Sequence, residues 1–446
     1  DKMSSPQPPP SSDYLRFCSS ELSKMFPRGW DSGWRSKVLG TTLSPSSCLE
    51  LSRKRGGNLG VLLPGGCWFD RESFCKELLD RYSPWRPNVD RVKSVRACAA
   101  GKERLVSINS VDMASLLPFH RLIYDRVSQE GWCLRGEANV SRFRQFTAVD
   151  GEVFVSGDYE SATDNLSQDV ARHILGCLSR SCTRVPLSIR EAGLRSLSCT
   201  AVSETGRSAL FVRGQLMGNA LSFPLLCLQN FLAFRYLIRR DVPLRINGDD
   251  IVFRASPQEC ERWKAGVAKC GLTLSVGKTL VSPRMFSLNS TFFVAGRRRV
   301  RLAPVVRSTA IFLPVDDLIS LSGRLETFKG FRPDRRDFWH AMLLRSCSAA
   351  VWWSQRSLTR GLGARVSDRS LRMAGLWDRE VFYTNLPSAC DPVHKKAVVD
   401  YFSRVVPEGW ERVRGGRPDP DVQREFFRIL VEESWKPSLS SSAGDC

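Results

Sequence analysis

The sequence predicts an α+β fold in which antiparallel strands pack against helices. The first observation is the stretch 244–253, where apolar residues flank an Asn-Gly pair, the strongest short-range signal for a β-hairpin. The second is an apolar strand over 152–158 that ends in an aspartate. The third is the apolar run 221–238, which is interrupted by Pro224 and Arg235 and so predicts a buried helix rather than a membrane span.

The net charge of the chain is unusually positive. Sixty-six Lys and Arg residues stand against 46 Asp and Glu, which leaves +20 at neutral pH. Such an excess favours a polyanionic partner, nucleic acid first and an anionic membrane second. The 446 residues exceed one compact core and predict two or three lobes, or one large multi-lobed enzyme.

The cysteines and the two ends of the sequence predict little chemistry. The 15 cysteines are scattered singly, with no CxxC pair and no histidine in zinc-finger spacing. Buried reduced thiols in a cytosolic protein are therefore expected, rather than a disulfide framework or a zinc site. No signal peptide is recognisable, and the polar, Pro/Ser-rich residues 1–12 predict a disordered tail. A small, polar segment predicts a second disordered tail over 438–446.

Further elements follow from local patterns. Basic residues alternate with small or apolar ones over 91–108, which predicts strands that either present cations or form a solvated edge. A helical pattern covers 112–146 and ends in a basic-aromatic run, suited to single-stranded RNA or equally to a packed lobe. Thr163 or Asp164 is placed to cap a helix with an apolar residue at every fourth position from Leu166.

The second half of the chain continues in the same mixed manner. A helix is predicted over 257–270, a strand over 272–276 and a second hairpin over 286–293, and the pattern beyond that is mostly helical. The Gly-Lys-Thr triplet at 277–279 is not a P-loop, because a Walker A motif requires glycine where this chain has Leu272.

Acidic residues stand at the predicted strand ends. Asp249 and Asp250 lie at or just after the hairpin tip. The pair is consistent either with a solvated turn or with a site for a hard cation such as Mg²⁺. Asp158 ends an apolar strand, and an acid there is costly unless it is paired or solvated. Capping alone explains Asp164. Asp158, Asp249 and Asp250 together fit a two-metal phosphoryl-transfer site. In such a site the ions align an attacking 3′-hydroxyl and stabilise the leaving pyrophosphate.

In order along the chain, these segments resemble the motifs of viral RNA-directed RNA polymerases. Residues 157–166 resemble palm motif A, residues 214–230 resemble motif B, and the Gly-Asp-Asp sequence at 248–250 is motif C. The similarity is closest to the ourmiavirus-like (botourmiavirus) group, with narnaviruses and leviviruses as relatives.

Three further matches extend the resemblance over about residues 90–300. Lys278 matches the motif D lysine, the 286–293 hairpin resembles motif E, and Lys102 and Arg104 match the basic motif F. The resemblance implies that Lys278 is the general acid for pyrophosphate and that Lys102 and Arg104 hold the triphosphate.

The resemblance also implies the ligands and the cofactor of the reaction. Asp158 and Asp249 would ligate two Mg²⁺ ions, for which Mn²⁺ is a possible substitute, with Asp250 in support. These three carboxylates and Lys278 would form the catalytic set.

Motif B and the end of motif A would bind the nucleotide. The resemblance implies that Asp164 senses the ribose 2′-hydroxyl with help from Ser222, and that Gly218 lets the motif B loop flex against the template-nucleotide pair. Many positive-strand RNA polymerases carry an asparagine four residues after that serine, where this chain has Leu226. Asn230, one helical turn further on, is the alternative source of a nucleotide-binding amide.

The implied architecture is a right hand: an α+β palm of antiparallel sheet backed by helices, fingers, and a mostly helical thumb. The expected limits are 13–157 for the fingers, 158–300 for the palm, about 179–213 for a finger insertion within it, and 301–437 for the thumb. The implied function is RNA-directed RNA synthesis from NTPs on an RNA template and nascent strand. A monomer without a membrane span, replicating a positive-strand genome in host cytoplasm, is expected.

Two other functions compete with this interpretation. A reverse transcriptase would usually place an aromatic steric gate in motif A and an aromatic residue before the paired aspartates. This chain has Thr163-Asp164 and Asn247-Gly248 there, which favours ribonucleotides. A non-catalytic basic RNA-binding protein is the alternative from another class, since the net charge and the arginines of 297–301 would suffice for it.

Overall fold

The computed structural model describes residues 2–61, 71–99, 102–202, 208–306 and 318–385, with the single positions 311 and 315. These residues form two compact units. Unit 1 contains 2–137 and 150–282, and unit 2 contains 138–149 and 283–385. Both units contain helices and antiparallel strands, so the mixed class is confirmed in its coarse form. The tail expected over 438–446 and the end of the expected thumb lie outside the described residues.

Unit 1 contains two sheets. Its described strands are β1 Arg91–Ala99, β2 Lys102–Asn109, β3 Val153–Gly157, β4 Thr200–Val202, β5 Ser208–Leu210, β6 Leu244–Asn247, β7 Asp250–Ala255 and β8 Leu280–Ser282. The central sheet has the order β6-β7-β3-β8 and is antiparallel throughout. The other has the order β2-β1-β4-β5 and contains the two basic strands expected over 91–108. The hairpin and the apolar strand that define the predicted fold are thus neighbours in one sheet.

The strand predicted over 272–276 is wrong. Apart from one bridge between Leu274 and Tyr159, this segment is a loop that leads into a 3-10 turn. Its backbone groups bond to the residues that follow β3: Glu160 N–H donates to the Thr273 carbonyl, and Ser275 N–H donates to the Asp158 carbonyl, both at 2.8 Å. Tertiary hydrogen bonds therefore outweigh the β propensity of the segment.

Helices pack against the central sheet. Those described in unit 1 are α1 Ser12–Met25, α2 Trp34–Leu39, α3 Gly57–Gly60, α4 Arg71–Leu79, α5 Leu117–Ser128, α6 Ala162–Asn165, α7 Gln168–Ser181, α8 Leu187–Ser196, α9 Ser222–Leu237 and α10 Pro257–Gly266. Helix α9 confirms the buried helix predicted over 221–238, since 12 of its residues are buried. The helix predicted over 112–146 is shorter, because only α5 and the preceding 3-10 turn, Val111–Leu116, form a continuous helical stretch. None of the described helices has the length and hydropathy that crossing a membrane requires.

The cap predicted for α7 is wrong, although its apolar stripe is confirmed. Every fourth residue from Val170 to Leu178 is fully buried. The residue that caps the helix is Ser167, whose hydroxyl accepts a hydrogen bond from Val170 N–H. Asp164 instead belongs to the short helix α6, because Leu166 has an extended backbone that separates the two helices. Asp164 therefore does not cap α7.

The disordered tail predicted over 1–12 is also wrong. The Met3 carbonyl accepts hydrogen bonds from Val212 N–H at 3.0 Å and from Arg213 N–H at 3.1 Å. The Gln7 side chain donates to the Asn165 carbonyl at 2.6 Å. A Pro/Ser-rich segment makes few hydrogen bonds within itself, but here neighbouring loops supply the partners.

The described part of unit 2 contains a three-stranded sheet. Its strands are β9 Met285–Leu288, β10 Thr291–Ala295 and β11 Val300–Leu302, in the order β11-β10-β9. The second predicted hairpin is confirmed, with Asn289 and Ser290 at positive φ in a two-residue turn. Phe143 and Phe146 pack on its Phe286, at ring distances of 5.3 and 5.2 Å. These two aromatic residues of the basic-aromatic run are fully buried, which favours the packed-lobe interpretation over stacking with RNA.

The rest of the described part of unit 2 is mainly helical. The helices are Ile319–Glu326, Pro333–Ser346, Ser348–Trp353, Asp368–Ala374 and Trp377–Asn385. They surround a core of their own, formed by residues such as Leu321, Leu344 and Leu371. The helical pattern predicted beyond residue 302 is confirmed for this stretch.

Candidate active site

The hairpin turn places Asp249 at its tip. Asn247 pairs with Asp250, so the two-residue loop is Gly248-Asp249 and not the Asn247-Gly248 pair that the sequence favoured. Gly248 has a φ of +63°, which suits the first central position of a type II′ turn, where glycine is preferred. Consequently Asp249 lies in the turn itself, while Asp250 is the first residue of β7.

The motif A segment turns sharply after β3. Asp158 directly follows the last strand residue, Gly157, where a Cβ atom would lie only 2.6 Å from Trp263. Ser161 has a φ of +44°, a left-handed conformation that is rare outside glycine and that occurs preferentially at functional sites. The Ser161 carbonyl accepts hydrogen bonds from Asp164 N–H and Asn165 N–H, and this fixes the start of α6.

Five of the residues singled out from the sequence line one cavity of about 810 Å³. They are Asp158, Asp164, Ser222, Asp249 and Lys278. Lys278 Nζ lies 3.5 Å from Asp158 Oδ2. The described wall of the cavity thus contains three carboxylates and one ammonium group. It is locally acidic, although the chain as a whole is strongly basic. An excess of negative charge of this kind attracts cations.

The loop that carries Lys278 is tied to motif A. Ser275 N–H donates to the Asp158 carbonyl, and the Ser275 carbonyl accepts from Lys278 N–H at 3.2 Å and from Thr279 Oγ1 at 2.9 Å. The Lys278 side chain itself is 74% exposed. Its backbone is thus held near the carboxylates, while its ammonium group keeps the freedom to move within the cavity.

The motif B loop lies against β2. Gly218 N–H donates to Ser107 Oγ at 3.0 Å, and Asn109 Nδ2 donates to the Gly218 carbonyl at 2.7 Å. Ser222 Oγ donates to the Leu216 carbonyl at 2.8 Å, which closes the loop on itself. Gly218 is not among the cavity residues. It lies instead where the backbone of the motif B loop closely approaches the backbone of β2.

Replacing Gly218 with alanine should therefore disturb the cavity. A Cβ atom there would lie 2.4 Å from the Ser107 carbonyl oxygen, so the loop would have to move away from β2. Overpacking of this kind costs about 1–3 kcal/mol, and we expect the free energy of unfolding in a urea titration to fall by that amount. Gly131→Ala is the matched control, because a Cβ atom at Gly131 would meet nothing within 4 Å. Equal stability of the two variants would contradict the close approach.

Besides Gly218, two residues of the predicted site whose side chains are described do not line the cavity. Asn230 is fully buried: its Oδ1 accepts from the Tyr159 hydroxyl at 2.8 Å, and its Nδ2 donates to the Gly248 carbonyl at 3.1 Å. The prediction that Asn230 binds the nucleotide is not supported by this geometry, because its amide is bonded beneath the turn. Leu226 does line the cavity, so the position where many positive-strand RNA polymerases carry asparagine is apolar here. Asp250 is the second residue, since the described cavity wall does not include it.

Lys102 and Arg104 are placed only by their backbones. Both belong to β2, where Lys102 pairs with Ala99 and Arg104 pairs with Ala97. Their side chains lie outside the described part of the structure. Val106 and Ser107, further along the same strand, line the cavity. The strand that carries the expected motif F cations therefore reaches the site.

Part of the chain is similar in sequence to a known viral protein. No family model matches the chain. Over 184 aligned residues it is 32% identical to the RNA-dependent RNA polymerase of Ourmia melon virus (isolate Melon/Iran/VE9). The resemblance to ourmiavirus-like polymerases is confirmed. The alignment covers 36% of this chain and 21% of the relative, so the chain spans about a fifth of that relative's length.

A similarity to a solved structure is also found. That structure is described as "In situ structures of the segmented genome and RNA polymerase complex inside a dsRNA virus". The TM-score is 0.47 at 13% identity, and the match covers 76% of this chain and 33% of that chain.

The carboxylates of the cavity fit a hard divalent ion. Within the described side chains, no three His, Cys, Asp or Glu residues converge closely enough to hold a metal by themselves. Mg²⁺ does not require such a cage, because it is usually held by one or two carboxylates together with waters and substrate phosphates. Asp158 and Asp249 face the same cavity and supply the hard oxygen ligands that this mode of binding needs.

Three residues near the site were missed by the sequence analysis. Tyr159 contacts the motif C turn through Asn230, and Met3 and Ser107 line the cavity. Tyr159 stands beside Asp158 in the motif A stretch, and that position was the only available signal. Burial, with the nearby Cys270 and Asp249, raises the pKa of its phenol well above the ordinary value, so the hydroxyl stays protonated and donates. Nothing in the composition around Met3 or Ser107 marks either residue.

Proposed function

We propose that this chain contains the catalytic core of an RNA-directed RNA polymerase. It would join NTPs to the 3′-hydroxyl of a nascent RNA under the direction of an RNA template, releasing pyrophosphate. One observation carries the proposal: Asp158, Asp249 and Lys278, which belong to three separate segments, meet in one cavity beside Asp164 and Ser222. The identity to the Ourmia melon virus polymerase supports it.

The carboxylates hold the cofactor in this proposal. Asp158 and Asp249 would bind divalent ions, either Mg²⁺ or Mn²⁺, with two ions per site and Asp250 in support on β7. When bound, the ions supply charge neutralisation at the triphosphate and lower the pKa of the attacking 3′-hydroxyl. The chain's own contribution is to hold the carboxylates in place, since positioning dominates this chemistry.

Lys278 is the proposed general acid. The attacking 3′-hydroxyl would lose its proton to solvent as the new P–O bond forms. The bond between the α-phosphorus and the bridging oxygen breaks, and the pyrophosphate oxygen gains a proton from Nζ, which solvent then restores. The ammonium group beside Asp158 and the high exposure of the side chain support this role, because the group is both held near the reaction and free to reach the leaving group.

Sugar selection is proposed to rest on Asp164 and Ser222. The Ser222 hydroxyl proton is directed at the Leu216 carbonyl, so its oxygen is left to accept a hydrogen bond from the cavity. The Asp164 carboxylate accepts hydrogen bonds only. Both groups favour a ligand that donates, as a ribose 2′-hydroxyl does, and with Leu226 apolar they are expected to carry the discrimination.

The architecture within the proposal is a right hand. The central sheet with α9 and α10 would be the palm, β1 and β2 would belong to the fingers, and the helices of unit 2 would belong to the thumb. The hairpin of 286–293, expected as palm motif E, packs within unit 2. RNA and NTPs are the proposed partners. A monomeric state and action in host cytoplasm remain predictions.

A template-dependent incorporation assay tests the proposal. Purified protein with a defined RNA template, labelled NTPs and Mg²⁺ or Mn²⁺ is expected to produce RNA complementary to the template. Reactions without template, or with EDTA, are the controls and should give no product. Binding of RNA without incorporation would favour the non-catalytic alternative. Preferential use of dNTPs would favour a reverse transcriptase.

A further inference from the structure

Two buried side chains bridge the strand ends that carry Asp158 and Asp249. The Tyr159 hydroxyl donates to Asn230 Oδ1 at 2.8 Å, and Asn230 Nδ2 donates to the carbonyls of Gly248 and Asp249 at 3.1 and 3.4 Å. Tyr159 is 3% exposed and Asn230 is fully buried. Because water has little access to these groups, the hydrogen bonds do not compete with solvent.

The backbone pairing ends before it reaches the carboxylates. The last residue pair of the β3–β7 ladder is Gly157 with Ile251. Beyond it, the main chain of Asp158 and Glu160 bonds to the loop on the other side, through Ser275 and Thr273. On the hairpin side, the Tyr159 side chain connects motif A to Asn230 and, through Asn230, to the motif C turn. Beyond the ladder, the side chains of Tyr159 and Asn230 therefore contribute to the separation of the two carboxylates.

Helix α9 holds the turn from below through two residues one helical turn apart. Gly248 N–H donates to Cys227 Sγ at 3.3 Å, and the Gly248 carbonyl accepts from Asn230 Nδ2. The helix thus contacts Gly248 through both its N–H and its carbonyl group. Cys227 is fully buried, and α9 is buried on nearly all sides, so this support is rigid.

We infer that Tyr159 and Asn230 are positioning residues that fix the separation of the Asp158 and Asp249 carboxylates, and thereby the affinity of the site for divalent ions. The inference rests on the proposed function for the identity of the ligand. Groups that orient metal ligands from behind typically change metal affinity or activity 10–100-fold when they are removed. Asn230 therefore acts through the turn, and not on the nucleotide as its sequence position suggested.

Tyr159→Phe removes the donor and keeps the ring, which packs 6.3 Å from Trp263. We expect the Mg²⁺ concentration for half-maximal incorporation to rise about tenfold. The dissociation constant of Mn²⁺, measured by electron paramagnetic resonance without NTP or RNA, should rise similarly. Tyr14→Phe is the matched control, since it removes another buried phenol hydroxyl, from a ring that packs on Tyr236 at 5.1 Å. It should leave both metal values unchanged.

A second variant separates positioning from a loss of stability. Asn230→Leu removes the whole bridge, so the double variant with Tyr159→Phe should bind Mn²⁺ no more weakly than Asn230→Leu alone. Thermal midpoints of all four variants show whether each is folded. If Tyr159→Phe binds Mn²⁺ within twofold of the native chain, the inference is wrong even though incorporation by the native chain still supports the polymerase. If the native chain binds Mn²⁺ at this site but incorporates nothing, the proposed function fails and the bridge is still tested by the Mn²⁺ titrations.

Discussion

An Asp249→Asn variant is expected to incorporate NTPs at least about a thousandfold more slowly than the native chain, because a metal ion contributes several kcal/mol of charge stabilisation in the transition state. Asparagine has the shape of aspartate and leaves the Gly248-Asp249 turn and its backbone hydrogen bonds intact. It lacks the negative charge that holds a divalent ion. The loss should therefore fall on the chemical step and not on folding.

The measurement is the initial rate of template-dependent incorporation at saturating NTP, with RNA affinity measured in parallel by fluorescence anisotropy. RNA affinity should stay within about twofold of the native value, because RNA is bound mainly through its phosphates. Asp169→Asn is the matched control, since Asp169 is an exposed carboxylate in the first turn of α7. Activity above a tenth of the native rate in the Asp249 variant would remove this residue from the metal site.

Asp31→Ala is expected to destabilise the fold strongly, although Asp31 does not line the cavity of the candidate site. The Asp31 carboxylate is fully buried and accepts hydrogen bonds from three consecutive backbone N–H groups, those of residues 183–185. This fastens the segment before α2 to the loop between α7 and α8. A buried donor left unpaired costs about 1–3 kcal/mol. Val185 is buried, whereas water can reach the donors of Thr183 and Arg184, so the free energy of unfolding should fall by roughly 3–4 kcal/mol and not by three times the upper value. Urea denaturation measures it, with the exposed Asp241→Ala as control.

The same carboxylate gives the stability a defined pH dependence. Burial by itself would raise the pKa of Asp31, but the backbone donors outweigh it, and the pKa lies below the ordinary value of 3.8. A carboxyl group with a lowered pKa stabilises the fold above its unfolded pKa, and that contribution disappears as the pH falls through the folded pKa. The difference between the native chain and Asp31→Ala should be constant near neutral pH and shrink below about pH 4. A difference that grows on acidification would contradict this account.

Strong local signals predicted the framework of the site correctly. The Asn-Gly pair marked the hairpin, the apolar run before Asp158 marked β3, and uniform hydrophobicity marked α9. Each of these signals reflects interactions within a few residues of the chain. They located Asp158 and Asp249 because both residues lie where a strand ends, and strand ends are visible in sequence.

Contacts between distant segments were not predictable in the same way. Asn230 looked like a nucleotide ligand because it is one turn beyond the usual motif B position, yet Tyr159 and Gly248 bond its amide from two other elements. The loop over 272–276 resembled a strand because its residues favour β structure, but its backbone groups bond to residues 158 and 160. No single segment contains the information that decides these cases.

The ordered segment before α1 also has a practical side. Met3 lines the cavity of the candidate site, and its carbonyl anchors the chain to the residues that lead into motif B. Any polypeptide joined ahead of Lys2, whether an affinity tag or further natural sequence, is therefore attached within a few residues of the space assigned to substrate. We therefore expect incorporation rates to depend on what is joined at this end, and rates should be compared only between preparations with the same N-terminal residues.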